Sequence, residues 1–362
     1  MTLEELRQRL SEVDNALVDL IARRERIVAE VGAHKIENSV PTRDYEREKE
    51  VLKGARRRAL DRGVDPDVVE QVMQLLIRSS LTQQEQTRVA AATGGAGKRV
   101  LVIGGAGKMG AWFAQFLASQ DYAVEIADPQ ASEFPYPRVA DWRESDLGHD
   151  VIVVATPIKT AGELLGELAE RRPRGLVMDI GSLKSPLRAG LAKLAGAGCR
   201  VTSIHPMFGP DTRLLSGRHV IFCDAGVPAA TAEARALFAA TMAEQIEMSL
   251  DDHDRLIAFV LGLSHALNIV FFTALAGSGE LVPRLMKLSS TTFDAQVQVA
   301  ALVARDNPRL YFDIQTLNDY GHVALEALRD AAARVGALVE AKDEAGFVAL
   351  MEAGRRYFET RR

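Results

Sequence analysis

The sequence predicts a multidomain α and α/β protein. It divides into an N-terminal three-helix segment over residues 1–92, a doubly wound parallel sheet over 99–250, and a C-terminal all-helical segment over 251–362. Three observations predict this. A heptad stripe of apolar residues runs through the N-terminus. Short continuous apolar runs alternate with helical patterns in the middle of the chain. Beyond about residue 250 the strand-like runs stop.

The N-terminal helices come first. Leu3, Leu10, Leu17 and Val31 share one seven-residue series, and Leu6, Val13, Leu20 and Ile27 share another. Together they form the seam of a long amphipathic helix. It ends near Asn38, where Asn-Ser-Val-Pro41 supplies breakers. Thr42 or Asp44 can cap a second helix over about 43–61, and Asp65-Pro66 starts a third over about 66–89. A first helix of some 35 residues is about 50 Å long. A three-helix globule cannot cover that length, so pairing with another copy is expected, in an intertwined homodimer.

Thr93-Gly-Gly-Ala-Gly97 reads as a flexible linker, taken as 93–98. The strand Arg99–Ile103 that follows is apolar throughout, as parallel strands buried on both faces are. Residues 123–127, 151–155, 175–179 and 200–204 repeat the alternation with helices. The stretch Leu256 to Leu275 is apolar but broken too often by polar groups to suggest a membrane span.

Bulk composition narrows the function. Of 362 residues 47 % are apolar and 26 % charged, the profile of an ordinary globular protein. A net charge of −5 offers no basic field for nucleic acid. The charged N-terminus lacks the apolar core of a secretory signal. Cys199 and Cys223 are too few for a disulfide framework or a zinc site. A cytoplasmic protein is expected, with no metal, no membrane and no nucleic-acid partner.

Gly105-Ala-Gly107-Lys108-Met109-Gly110 lies between a strand and a helix and fits G-x-G-x-x-G, with Asp128 ending the next strand. In that context the glycines let the backbone approach a pyrophosphate at the helix N-terminus, and the acidic residue binds a ribose 2′-hydroxyl. This predicts a Rossmann-type domain. An Asp at this place repels a 2′-phosphate, so NAD is expected over NADP. Thr156 and Pro157, after the next central strand, should border the nicotinamide side of the cleft. Ligands of open α/β sheets sit beyond the carboxyl ends of strands. There the chain carries Asp179-Ile-Gly-Ser182-Leu-Lys184 and Ile204-His205-Pro-Met-Phe-Gly209. His205 suits removal of a hydroxyl proton as hydride leaves its carbon, and Ser182 can orient the imidazole. His253 and His265, about three turns apart on one helix, read as structural or ligand-facing histidines alike.

Arg24 breaks the heptad seam: it sits where Leu or Val belongs. Arg7 flanks that seam and Lys35 lies a turn beyond Val31. The second helix offers Asp44, Arg47 and Glu48, and the third spaces Leu76, Ser80 and Gln84 by fours. Cationic and amide groups turned toward one interior suggest a pocket for a small molecule with several negative charges, since Arg forks match carboxylates.

Residues 1–92 resemble the helical type of chorismate mutase. The resemblance rests on Leu6-Arg7, Arg24, Val31-Gly-Ala-His-Lys35, Arg43-Asp-Tyr-Glu-Arg47-Glu48 and Ser80-Leu-Thr-Gln-Gln84. Residues 99–362 resemble prephenate dehydrogenase through Gly104–Gly110, Asp179–Lys184 and His205–Gly209. Their order resembles the bifunctional chorismate mutase–prephenate dehydrogenases of tyrosine biosynthesis. The resemblance implies that Arg24 and Arg47 grip carboxylates, with Arg7 coming from a second subunit. It implies that Lys35 and Gln84 donate to the ether oxygen, while Asp44, Glu48 and Ser80 position the substrate. In the other half it implies His205 as proton acceptor, Ser182 as its orienting group, Lys184 and His265 along the prephenate cleft, and NAD as oxidant. The family's late-helix arginine is replaced by Leu302, which leaves Gln298 or Arg305 as carboxylate partner, and Arg309 less so. Arogenate or 4-amino-4-deoxyprephenate is the alternative substrate, and a regulator that binds NAD or an aromatic acid without turnover is the alternative class.

Overall fold

The computed structural model describes residues 1–360. They form two compact units: residues 1–156, 166–180 and 191–247 in one, and 157–165, 181–190 and 248–360 in the other.

The first unit opens with helices α1 (Leu3–Glu37), α2 (Tyr45–Asp61) and α3 (Pro66–Ala91). The start of α1 is written locally. Thr2 Oγ1 accepts the Glu5 N–H at 3.2 Å, and the Thr2 N–H donates to the Glu5 carboxylate at 2.7 Å, a reciprocal cap. Asp44 caps α2 by accepting the Arg47 N–H, and Asp65 followed by Pro66 opens α3. Within α1 the buried residues are Val28 and Gly32. Its seam is uncovered in this subunit: Leu10 is 62 % exposed and Leu17 53 %.

The sheet follows. Its strands are β1 (Arg99–Ile103), β2 (Ala123–Ala127), β3 (Arg138–Val139), β4 (Val151–Val154), β5 (Leu176–Asp179), β6 (Val201–Pro206), β7 (His219–Asp224) and β8 (Glu244–Met248). Interleaved with them are α4 (Lys108–Ala118), α5 (Ile158–Arg171), α6 (Arg188–Gly196) and α7 (Pro228–Ala236). Among the described residues the sheet has eight strands in the order β3-β2-β1-β4-β5-β6-β7-β8. Pairings from β3 through β6 are parallel, with the reversal of strand order between β1 and β4. The expected parallel sheet holds from β3 through β6, and beyond it β7 runs antiparallel to β6, with His205 opposite Ile221 and Pro206 opposite Val220. That pairing carries β6 two residues past Ile204, because β7 supplies partners for its last backbone groups. His205 is therefore a strand residue and not the loop residue the sequence suggested. Phe113, Phe222 and Phe238 fill the core beneath.

The second unit is helical. After α8 (Leu250–Ile257) a π turn (Ala258–Leu263) leads into α9 (Ser264–Gly277), followed by α10 (Val282–Met286), α11 (Thr291–Arg305), α12 (Pro308–Thr316), α13 (Gly321–Glu340) and α14 (Glu344–Glu359). The fully buried Asp254 ties it together. Its carboxylate accepts the Lys184 N–H at 2.8 Å and the Ser185 N–H at 2.5 Å, and it also meets the Ser185 hydroxyl and His253 Nδ1. Burial alone would raise its pKa, but the hydrogen bonds from His253, Ser185 and Lys184 outweigh that and hold it below the usual carboxylate value. His253 thus serves as an anchor. By length and composition alone the helix Leu250–Gly277 is long and apolar enough to cross a membrane, and 28 % of its most apolar window is buried. Its charged groups Asp251, Asp252, Asp254 and Arg255 lie in the first turns, and Ser264, His265, Asn268 and Thr273 interrupt the apolar stretch behind them.

Candidate active sites

Arg24 does turn inward. Its guanidinium donates to the Leu76 carbonyl at 2.9 Å and to the Ser80 hydroxyl, which in turn donates to Leu76 O at 2.7 Å. Burial lowers the Arg24 pKa, and neighbouring Glu25 opposes that. One turn along α3, Gln84 is buried, and its Oε1 has no hydrogen-bond partner. A buried amide oxygen left unpaired is costly unless a ligand or solvent meets it. Gly32 makes the close approach possible: a Cβ there would lie 3.2 Å from Gln84 Cγ. About three turns beyond Arg24, Lys35 donates to Thr42 O at 2.6 Å, and burial likewise lowers its pKa.

Of the other sequence candidates, Asp44 and Glu48 lie close enough to Lys35 for their charges to oppose that lowering. Arg7 and Arg47 are exposed and paired with Glu4 and Glu50 on their own helices. Asp44 is an exposed helix cap. Glu48 is held by both ends of the Arg43 guanidinium at 2.9 Å, and Arg43 also donates to Ser216 Oγ at 2.7 Å. Arg43 was no site candidate in the sequence; its motif position hid a partner 173 residues away.

In the sheet, Gly104 has φ +86°, and Cβ atoms at Gly105 and Gly110 would lie 2.6 Å from Ile126 Cγ2 and 2.1 Å from Gly104 O. No larger residue fits this turn, which is the close-packed backbone a pyrophosphate needs. Gly107 caps α4 without a side-chain hydrogen bond, so the first N–H groups face outward, beside exposed Lys108 and half-buried Met109. Asp128 Oδ2 accepts the Ala106 N–H at 3.1 Å, fixing the carboxylate against the loop. Arg138, unnoticed in the sequence, donates to Asp128 O at 2.7 Å. Thr156 Oγ1, past β4, is buried without a partner, and Pro157 after it is exposed. These groups fit a dinucleotide. His205 lies 5 % exposed in β6 of the same unit.

In the helical unit, Lys184 is fully buried with Nζ donating to Gly181 O at 2.7 Å, and Ser182 is half-buried. His265 stacks on Tyr311, ring centres 4.2 Å apart, and burial lowers its pKa against the opposing charge of Asp306. Gln315, from the same helix as Tyr311, donates to the π-turn carbonyl of Gly262 at 2.9 Å. Tyr311 and Gln315 escaped sequence reasoning because only the fold brings α12 to α9. On α11, Gln298 and Arg305 are exposed, as is Leu302 between them. Among the described residues no group of three His, Cys, Asp or Glu side chains gathers as a metal site.

Fold and sites define a dinucleotide-dependent oxidoreductase joined to a helical domain with a cation-lined interior. The comparisons with known proteins make this particular. Residues 6–85 match the model for type II chorismate mutase, 136–246 the nucleotide-binding domain of prephenate dehydrogenase, and 249–353 its dimerization domain. The T-protein of Enterobacter agglomerans is 28 % identical over 98 % of this chain and 93 % of its own length. The 4-amino-4-deoxyprephenate dehydrogenase of Streptomyces pristinaespiralis is 32 % identical over 70 % of this chain and 88 % of its own. A prephenate dehydrogenase from A. aeolicus, solved with hydroxyphenyl propionate and NAD+, shares the fold. Its TM-score is 0.56 at 19 % identity, over 73 % of this chain and 98 % of that one. The chain belongs to the prephenate dehydrogenase family, in its bifunctional form with an N-terminal chorismate mutase. It is an enzyme of tyrosine biosynthesis that carries both activities and has a nucleotide-binding domain.

Proposed function

We propose that the chain converts chorismate to prephenate within residues 1–92, and prephenate to 4-hydroxyphenylpyruvate with 99–250 as the NAD-binding domain and 251–362 as the helical substrate and dimerisation domain. The observation that carries the first step is Arg24 turned inward onto Leu76 and Ser80, one turn of α3 from the buried Gln84. The rearrangement is pericyclic and asks for no nucleophile and no acid–base pair. It asks for a compact substrate conformer and for donors where charge grows on the breaking ether oxygen. Arg24 and Arg47 hold the carboxylates, and a second copy of the chain supplies Arg7. Lys35 and the Gln84 amide donate to the ether oxygen, with Asp44, Glu48 and Ser80 positioning the ring. A neutral Gln84 needs no particular protonation state for this.

In the second step His205 takes the proton of the ring hydroxyl, Ser182 orients the imidazole, and Lys184 and His265 line the cleft. As the carbon–hydrogen bond breaks, carbon dioxide departs and the ring becomes aromatic. When bound to Gly105, Gly107, Lys108, Met109, Gly110, Asp128, Thr156 and Pro157, NAD supplies the hydride acceptor. A soluble cytoplasmic homodimer fits this reading: the uncovered α1 seam meets a second α1, and the helical unit carries the match to a dimerization domain.

A second reading concerns the substrate. Leu302 is 69 % exposed where the family carries an arginine, and one relative bears the name 4-amino-4-deoxyprephenate dehydrogenase at 32 % identity. Arogenate stands with that analogue as an alternative, and Gln298 or Arg305 then meets the carboxylate. The test feeds purified protein chorismate or its 4-amino analogue with NAD or NADP and follows reduced dinucleotide. Turnover of chorismate with NAD supports the first reading; turnover of the amino analogue alone replaces it with the second.

A further inference from the structure

The segment Met207–Arg218 leaves β6 directly after His205-Pro206 and returns as β7, closed at its base by the Met207 N–H donating to His219 O at 2.9 Å. On one side it leans on the dinucleotide helix α4. The Trp112 indole N–H donates to Thr212 O at 3.0 Å, and the Trp112 and Phe208 rings lie 5.0 Å apart. On its other side the partners are mutase residues. Glu85, 3 % exposed on α3, accepts the Leu215 N–H at 2.7 Å with one carboxylate oxygen and the Met242 N–H at 2.5 Å with the other. Arg43 donates to Ser216 Oγ while its fork grips Glu48.

Neither contact serves the mutase fold itself. A carboxylate is an expensive group to bury, and burial raises the Glu85 pKa against its two backbone donors. A helix seeking only an apolar seat would carry Leu here. The Glu places two acceptor atoms on N–H groups that belong to the sheet unit's loops, one of them ten residues beyond His205. Glu85 is also the chain neighbour of Gln84, and Arg43 is bonded to Glu48, so both clips adjoin residues read as mutase site groups.

We propose that Glu85 and Arg43 are positioning residues for the dehydrogenase: the mutase domain uses them to hold the Met207–Arg218 segment, and through it the end of β6 that carries His205. The segment is thus clamped between α4 and the mutase helices, and the geometry of prephenate oxidation depends on a domain that takes no part in its chemistry. This rests on the reading of His205 as proton acceptor. The two fail separately, since a near-normal rate in His205→Asn removes that reading, whereas the variants below remove this one.

The experiment uses the full-length protein with supplied prephenate and NAD. Glu85→Ala is expected to lower dehydrogenase kcat about tenfold, with the KM for NAD within about twofold because the glycine loop is untouched. Glu85→Gln, which keeps one acceptor oxygen, should fall between it and the parent. Ser216→Ala removes the Arg43 contact from the dehydrogenase side, and a twofold to fivefold loss of kcat is expected. Unchanged kcat in both Glu85→Ala and Ser216→Ala overturns the proposal. So does a parallel loss of kcat and NAD affinity, the mark of general unfolding. Should Glu85→Ala fail to fold, Ser216→Ala decides alone: a loss supports the clamp and parental kcat refutes it.

Discussion

The sheet and the first helix solve the problem of burial in opposite ways. Strands β1, β4, β5 and β6 lie almost wholly inside the subunit, with Leu101, Ile152, Val177 and Ile204 each at 0 % exposure. Helix α1 has as regular an apolar pattern, yet most of its seam is open to solvent. A doubly wound sheet is covered by its own connecting helices, so one chain completes it. A helix some 50 Å long has no such cover within its own subunit, and the proposed homodimer is what would supply it. The difference carries into the proposed sites: the glycine loop is built within the sheet region, whereas Arg7, proposed for a second copy's mutase site, lies exposed on α1 beside Glu4.

The sharpest way to part the two regions is at His205. Replacing it by Asn keeps polarity in β6 but removes the proton acceptor. NAD-dependent oxidation of prephenate should fall about 10²–10⁴-fold, the usual worth of a positioned base. Conversion of chorismate should stay near the parental rate. A rate within a factor of a few of the parent would take His205 out of the chemistry.

The complementary change, Arg24→Ala, strikes the helical region alone. It removes the donor to Leu76 and Ser80 and one expected carboxylate fork, and mutase activity should drop by about 10²–10³. Oxidation of supplied prephenate should survive. If both activities vanished together, Arg24 would be holding the fold rather than a substrate.

Much of this was legible beforehand, and the exceptions have physical causes. Heptads, caps and linker showed α1, α2 and α3 to within a few residues, since Thr2, Asp44 and Asp65 act through local hydrogen bonds. The glycine loop was equally plain, because its steric demand is written in residue type. Strand β3, two residues long, has no periodicity to read. The extension of β6 through His205 depends on antiparallel β7, a partner that no local pattern names. Glu85 carries no local signal, because its partners Leu215 and Met242 are brought to it only by the fold.

The comparison can be broken from the α1 side. Leu10→Glu puts a charge into the open seam without touching a contact inside the subunit. If a second α1 covers that seam, the chain should turn monomeric or weakly associated by light scattering, and mutase activity at low protein concentration should fall by roughly tenfold. NAD binding by the sheet should be unaffected. A variant that keeps both its mass in solution and its mutase rate would mean that the seam is covered in some other way, or not at all.

The smallest effect expected is on stability, at His265 in the helical unit. Burial lowers its pKa from 6.5, so in the folded protein the imidazole resists a proton that the unfolded chain accepts readily. Above that pH both states are neutral and the residue is silent. As pH falls below about 6.5, the unfolded state binds more protons, and folding stability declines until the folded-state pKa is passed. His265→Phe preserves a ring against Tyr311 and removes the titration. Thermal unfolding measured at pH 7.5 and 5.5 should therefore show a smaller acid-side drop in Tm for the variant, by a few degrees at most, the scale of about 1 kcal/mol in a protein of this size. An equal drop in both proteins would mean that His265 is charged and solvated in the folded state, which contradicts a buried Nδ1 without a partner.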